Sequence, residues 1–203
     1  TLPKYVYNAP VAIEDKDFFK HNGISPIGGI IRALKENLTT GNLQGGSTIT
    51  QQLVKSALLT PERTIRRKIK EIILALWTER IYSKSEILQM YLNQVPYGGS
   101  SYGIEEASKT YFNKSAKNLT LSEAALLAGL PQAPSLYSPY ANPDLAKSRR
   151  NNVLKNMLGE KYITEDQYKK ASISSVKVSS PQTTIKAPHF VFYVKSILEK
   201  QYG

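Results

Sequence analysis

Apolar residues recur at helical spacing along most of the chain. Ile65, Ile69, Ile72, Ile73 and Leu76 repeat every three or four positions, which predicts a long helix opened by Thr60-Pro61. Pro10 suits a first helical turn and Gly23 a stop, so AIEDKDFFKHNG (residues 12–23) reads as the body of one helix. Ser25-Pro26 starts another, through Ile30, Ile31 and Leu34 to Gly41, and Ser47 can cap a helix over 48–59. Ser83 with Glu86, Thr120 with Glu123, and Thr164 with Gln167 have the spacing of capping boxes. Asn142-Pro143 starts a helix through Met157, and Pro188 starts the last one, to Tyr202. Strand signals are confined to 173–178 and 183–185. The glycine-rich stretch 39–46, the turn-rich 95–102 and the Ser/Thr/Pro-rich 172–187 read as loops and connector. There is no internal repeat.

The 203 residues are 41% hydrophobic and 21% charged, enough for one domain, or one domain with two lobes. The chain opens on Thr1 without methionine and stops at Gly203 after an apolar helix, so it reads as a piece of a longer protein. Lys and Arg number 27 against 16 Asp and Glu, a net charge of +11. That balance suits either a solvated basic surface or an anionic partner: nucleic acid, an anionic membrane or a phosphorylated substrate. With no cysteine there is neither a disulfide framework nor a thiolate metal site. No run approaches the roughly 20 apolar residues of a membrane span.

Three stretches can carry chemistry. Glu14 and Asp15 lie beside Ile13 and near Phe18. Acids in a first helical turn suit the helix dipole, but a carboxylate among apolar neighbours has a raised pKa and can serve as a base. His21 reads as a structural hydrogen-bonder near a helix end. GGSTITQQLVKSAL (45–58) puts hydroxyls and free N–H groups at a helix start, an anion site or simply a good cap, with Gln52 and Lys55 one turn on. RTIRRKIKE (63–71) sets Arg63, Arg67 and Glu71 in one stripe, with Lys68 three residues before Glu71. It reads as a salt-bridged face or a phosphate clamp whose carboxylate can orient cations or hold Mg²⁺. The Ser174-to-Lys177 Ser-x-x-Lys lacks a Lys-Thr-Gly partner and is treated as chance.

Taken in order, EDxxFxxHxG (14–23), GSTITQQ (46–52), RKxxE (67–71), KSEILxxYLN (84–93) and RRNxVL (149–154) resemble the peptidoglycan glycosyltransferase domain of class A, bifunctional penicillin-binding proteins. LTLSEAALLAGLPQAPS (119–135) is also similar to that family, and the resemblance runs from about Val11 to Ala171. Ser108 and Asn113 depart from it, where Ala and Gly are more usual.

The resemblance implies a mainly α, lysozyme-like, two-lobed helical domain over 1–171 with a membrane-facing hydrophobic jaw. Residues 172–203 would be a C-terminal connector and helix leading toward a transpeptidase domain. It implies a membrane-associated bacterial cell-wall enzyme at the extracytoplasmic face of the cell membrane. Its partners would be lipid II, the growing glycan strand and the outer leaflet, not nucleic acid. By family role Glu14 is the general base on the acceptor's 4-hydroxyl, and Glu71 assists at the donor pyrophosphate, directly or through a metal. Ser47, Thr48, Gln52, Lys55, Arg67 and Lys68 fall on positions that contact donor phosphates and sugars. Asp15, Phe18 and His21 belong to the same binding set as supports of the first glutamate. The resemblance allows a divalent cation, Mg²⁺ or Mn²⁺, at Glu71 and leaves open whether the reaction needs it.

Chemistry agrees with this division of labour. A glycosidase needs an acid for its alcohol leaving group and a second carboxylate. Pyrophosphate leaves as a stable anion and needs cations instead. One base with a cationic clamp therefore fits an inverting transfer from an α-linked donor to a β-1,4 product. Ile24, Ile27, Ile30, Ile31 and Leu34, with Arg32 and Lys35, would form the jaw that meets lipid. The alternatives are a lysozyme-like glycan-cleaving enzyme and a non-enzymatic basic helical module.

Overall fold

A computed structural model describes residues 1–24, 46–60, 62, 64–180 and 188–202. Among them the chain forms helices α1 (Lys4–Glu14), α2 (Ile49–Leu58), α3 (Ile65–Ile81), α4 (Lys84–Gln94), α5 (Ile104–Phe112), α6 (Leu121–Gly129), α7 (Pro143–Gly159), α8 (Glu165–Ile173) and α9 (Pro188–Tyr202). Short 3-10 turns occupy Phe18–Lys20 and Ala116–Asn118. The expected mainly α class holds. The one β contact in the described residues is an isolated bridge between Pro96 and Tyr102. The segment expected to form the jaw, after Ile24, lies outside the described residues, as does the strand candidate 183–185.

All three capping boxes form as the sequence predicts, at Ser83, Thr120 and Thr164. A fourth forms at Thr48 with Gln51, one residue past the expected Ser47. The long helix begins at Ile65 under a Thr64 cap, later than Thr60-Pro61 suggested. Pro10 does not start a helix: it lies inside α1, which begins at Lys4 and ends at Glu14. Packing overrides the local signal here, because Ala9, Pro10, Val11 and Ala12 are all buried. Residues 173–178 form no strand; Ile173 closes α8. Helix α5 has no sequence signal at its start, since Gly103 offers no capping side chain. Its end explains both departures from the family pattern. Asn113 takes the left-handed cap conformation at φ 52°, and the Ser108 hydroxyl donates to the Lys114 carbonyl at 2.8 Å.

Two cores share α1. Val6 and Val11 join Phe18, Ile49, Leu53, Ile87, Tyr91 and Leu127 on one side. Ala9 and Ala12 join Ala125, Ala128, Val153, Leu154 and Met157 on the other. The alanines let α1 lie close against α6 and α7, while α2 packs on α3 and α4. Glu14, the last residue of α1, thus stands where both groups of helices meet. No described helix is long and apolar enough to cross a membrane.

Candidate functional site

The Asp15–Gly23 turn is locked before any chemistry is considered. The His21 Nδ1 accepts the Gly23 N–H at 3.1 Å, so the ring proton sits on Nε2 and is donated to Asp15 at 2.8 Å. The second Asp15 oxygen accepts the Ile49 N–H at 3.0 Å. Thr48 donates its hydroxyl to the Gly23 carbonyl at 2.7 Å. These contacts clip the start of α2 onto the end of α1. Of the two readings of this helix start, anion site or cap, they favour the cap. The N–H groups of Thr48, Ile49 and Gln51 are taken by Gln51, Asp15 and Thr48 respectively. A carboxylate of the chain itself occupies the place of the anion.

Asp15, Phe18, His21 and Thr48 stand behind Glu14, the supporting place that the resemblance implies for the first three. All four are buried, with Phe18 at 0% exposure under the ammonium of Lys84, which lies 4.4 Å from the ring centre. They hold the turn that presents Glu14. Lys55 is exposed on α2 and forms no ion pair with a described residue.

Glu14 and Glu71 are the ends of one hydrogen-bonded chain. The Arg149 Nη2 donates to Glu14 Oε1 at 3.0 Å, and the Gln52 Nε2 donates to Oε2 at 2.9 Å. Gln52 Nε2 also reaches the Ser47 carbonyl at 3.3 Å, and Lys68 Nζ donates to the Ser47 hydroxyl at 3.0 Å. Lys68 then pairs with one oxygen of Glu71, and Arg67 Nη1 lies 3.3 Å from the other. Of the expected set, Glu14, Ser47, Gln52, Arg67, Lys68 and Glu71 are therefore brought together. Arg63 lies outside the described residues.

Electrostatics differ at the two ends. Burial pushes the Glu14 carboxyl above its ordinary pKa, while the hydrogen bond from Gln52 and the charge and hydrogen bond of Arg149 pull it back. The neighbours responsible are not the expected Ile13 and Phe18 pair alone, because Phe18 sits in the 3-10 turn rather than one helical turn along α1. Behind Gln52, the buried Tyr91 hydroxyl donates to its Oε1 at 3.4 Å, which keeps the amide nitrogen toward the carboxylate. Glu71 is 1% exposed between its two cations. The Arg67 Nε is buried with no partner among the described residues, a donor to spare in this network.

These residues do not fit a protein-built divalent-metal centre. Glu71 is a single carboxylate with a cation on each oxygen, and no cluster of three ligating side chains occurs among the described residues.

Arg149 is the functional residue that the sequence reading passed over. It stood in the quoted RRNxVL stretch without a role, beside Arg150. On α7 the two side chains diverge. Arg150 turns inward and donates to the Ser172 and Ser174 carbonyls, both at 2.8 Å. Arg149 crosses α6, donating its Nε to the Gly129 carbonyl at 3.2 Å. A Cβ at Gly129 would lie 2.7 Å from Arg149 Cγ, so the crossing needs a glycine.

A sequence model described as transglycosylase matches residues 1–158. The chain is 47% identical over its whole length to penicillin-binding protein 1A of Aquifex aeolicus, covering 28% of that protein. It is 41% identical to penicillin-binding protein 1A of Escherichia coli, again over its whole length and 24% of that protein. Penicillin-binding protein 1F of Bacillus subtilis is 48% identical over 80% of the chain and 23% of its own length. The chain thus spans about a quarter of the relatives it matches. In structure it is similar to penicillin-binding protein 1A of Haemophilus influenzae, with a TM-score of 0.50 and 32% identity over 76% of this chain and 20% of that one. The chain belongs to the transglycosylase family, a glycosyltransferase domain shared with penicillin-binding proteins 1A.

Proposed function

We propose that the domain is a peptidoglycan glycosyltransferase that polymerises lipid II into β-1,4-linked glycan strands. The observation that carries the reading is the hydrogen-bonded chain from Glu14 to Glu71, with a buried, raised-pKa carboxylate at one end and a cationic cluster at the other. Glu14 takes the proton of the acceptor sugar's 4-hydroxyl as that oxygen bonds to the donor's anomeric carbon. The bond from that carbon to pyrophosphate breaks, and its electron pair leaves with undecaprenyl pyrophosphate. Arg67, Lys68 and Lys55 meet the charge that develops on the leaving group. Ser47 and Gln52 hold the two ends at a fixed separation. Glu71 orients Arg67 and Lys68, and no step requires a metal held by the chain.

A glycan-cleaving reaction is the weaker reading. It needs a second carboxyl to protonate an alcohol oxygen, and both oxygens of Glu71 already accept hydrogen bonds from cations. In the longer relatives' setting, the domain would work beside a transpeptidase domain at the outer face of the cell membrane. Residues 172–203 would join the two. The first part of that connector is tied to the domain, since Ser179 donates its N–H to the Tyr111 carbonyl at 2.8 Å. Incubating the chain with lipid II in detergent, and separately with purified sacculi, tests the reading. Polymer from lipid II with intact sacculi supports it; muropeptide release without polymer overturns it.

A further inference from the structure

Arg150 is 3% exposed, yet it pairs with no carboxylate among the described residues. Each of its nitrogens donates instead to a neutral oxygen: Nε to the Asn151 side chain at 3.1 Å, Nη1 to the Ser174 carbonyl and Nη2 to the Ser172 carbonyl, both at 2.8 Å. Burial holds its pKa below the ordinary value, the cost of a cation without a counter-ion. The two carbonyls lie at the C-terminal end of α8, the negative end of that helix. The same end is held from α6, where the buried Ser122 hydroxyl donates to the Ala171 carbonyl at 2.6 Å. The end of α8 is therefore fastened to α6 and α7. Those are the two helices that Arg149 spans on its way to Glu14, with its Nε on the Gly129 carbonyl of α6.

We propose that Arg150 is a positioning residue: anchored on the end of α8, it sets the rotation of α7 about its axis and so aims Arg149 at Glu14. The two arginines leave α7 about 100° apart around that axis, so fixing one fixes the direction of the other. Arg149 is a long side chain, guided along its length by the Gly129 carbonyl and by Tyr137, whose ring centre lies 5.4 Å from the guanidinium. A small turn of α7 is carried outward to its tip, and a 3.0 Å hydrogen bond weakens as the tip withdraws. Glu14 is faced by Arg149 from α7, by Gln52 from α2 and by Asp15 beside it, with Tyr91 of α4 behind Gln52. Among these only Arg149 carries a positive charge. The stretch 172–174, where the chain leaves α8, thereby takes part in setting the surroundings of Glu14. That Glu14 is a base rests on the function proposed above; that Arg150 aims Arg149 at it does not, because the test needs no turnover.

The test labels the glutamate carboxyls of the chain with carbon-13 and follows the Glu14 resonance, identified by its loss in Glu14→Gln, through a pH titration without substrate. Arg150→Met removes the anchor and keeps the bulk. The expected result is a rise in the Glu14 pKa of about 0.5 or more, in the direction of Arg149→Ala. Added to Arg149→Ala, Arg150→Met should move it no further, whereas a direct effect of the lost Arg150 charge would persist there. Where Arg150→Met does not fold, Arg150→Lys is read in the same two backgrounds; it keeps the charge and cannot span both carbonyls. Met157→Ala, buried on the same helix, is the control for a purely structural loss: it should lower the melting temperature and leave the Glu14 pKa in place. The proposal is overturned by an unmoved Glu14 pKa in the Arg150 variant. An equal move in the Arg149→Ala background, or the same move in Met157→Ala, also overturns it.

Discussion

Arg149 and Glu14 are 135 residues apart in the chain and 3.0 Å apart in the fold. That pair closes the site from α7. It makes the basicity of Glu14 depend on a helix that otherwise serves the core.

The pair has a pH signature. Burial raises the Glu14 pKa, so its base form is lost as pH falls through that raised value, and Arg149 opposes the rise. In Arg149→Ala the opposing charge is gone, and the acid limb of the kcat/KM profile should move to higher pH. Arg149→Lys, which keeps a cation, should return the limb part of the way to its wild-type position. An acid limb that stays in place in Arg149→Ala would remove Arg149 from the account.

Glu71 predicts a different outcome, one that appears in folding as well as turnover. Its carboxylate is buried and needs its cations, so Arg67→Ala should destabilise the domain by about 1–3 kcal/mol in denaturant titration. Lys68→Ala should also cut kcat strongly through loss of the link to Ser47. Glu71→Gln, which keeps the shape and removes the charge, should fold and lose activity.

Gly23 tests the turn that presents Glu14. Its φ is +84°, and an added Cβ would lie 3.0 Å from the Ala75 carbonyl and from Glu79 Cγ. Gly23→Ala should cost about 1–3 kcal/mol and lower activity with it, read by thermal melting and turnover together.

Because Arg67 and Lys68 already occupy both oxygens of Glu71, a chelator should leave the melting temperature unchanged. A fall in melting temperature on adding EDTA would show a resident ion.

Much of this was legible in the sequence because the signals were local. Capping boxes at Ser83, Thr120 and Thr164 formed as spaced, and Lys68 with Glu71 met at one helical turn. The misreadings arose where distant packing decides. Pro10 sits inside α1 because alanines on either side of it seat the helix against α6 and α7. The start of α2 read locally as either an anion site or a cap, and Asp15, from another element, decides for the cap by taking the Ile49 N–H. Arg149 was indistinguishable from Arg150 until α7 was placed against α6, which turns one arginine to Glu14 and the other to the 172–174 backbone. Its only local clue was Gly129, twenty residues earlier.

The central claim is that Glu14 is the base of a polymerisation. It is tested most directly by lipid II turnover in detergent, wild type against Glu14→Gln, with folding checked by circular dichroism. The account predicts glycan polymer from the wild type and a loss of roughly 10²–10⁴-fold in the folded variant. Equal polymer from both would contradict it.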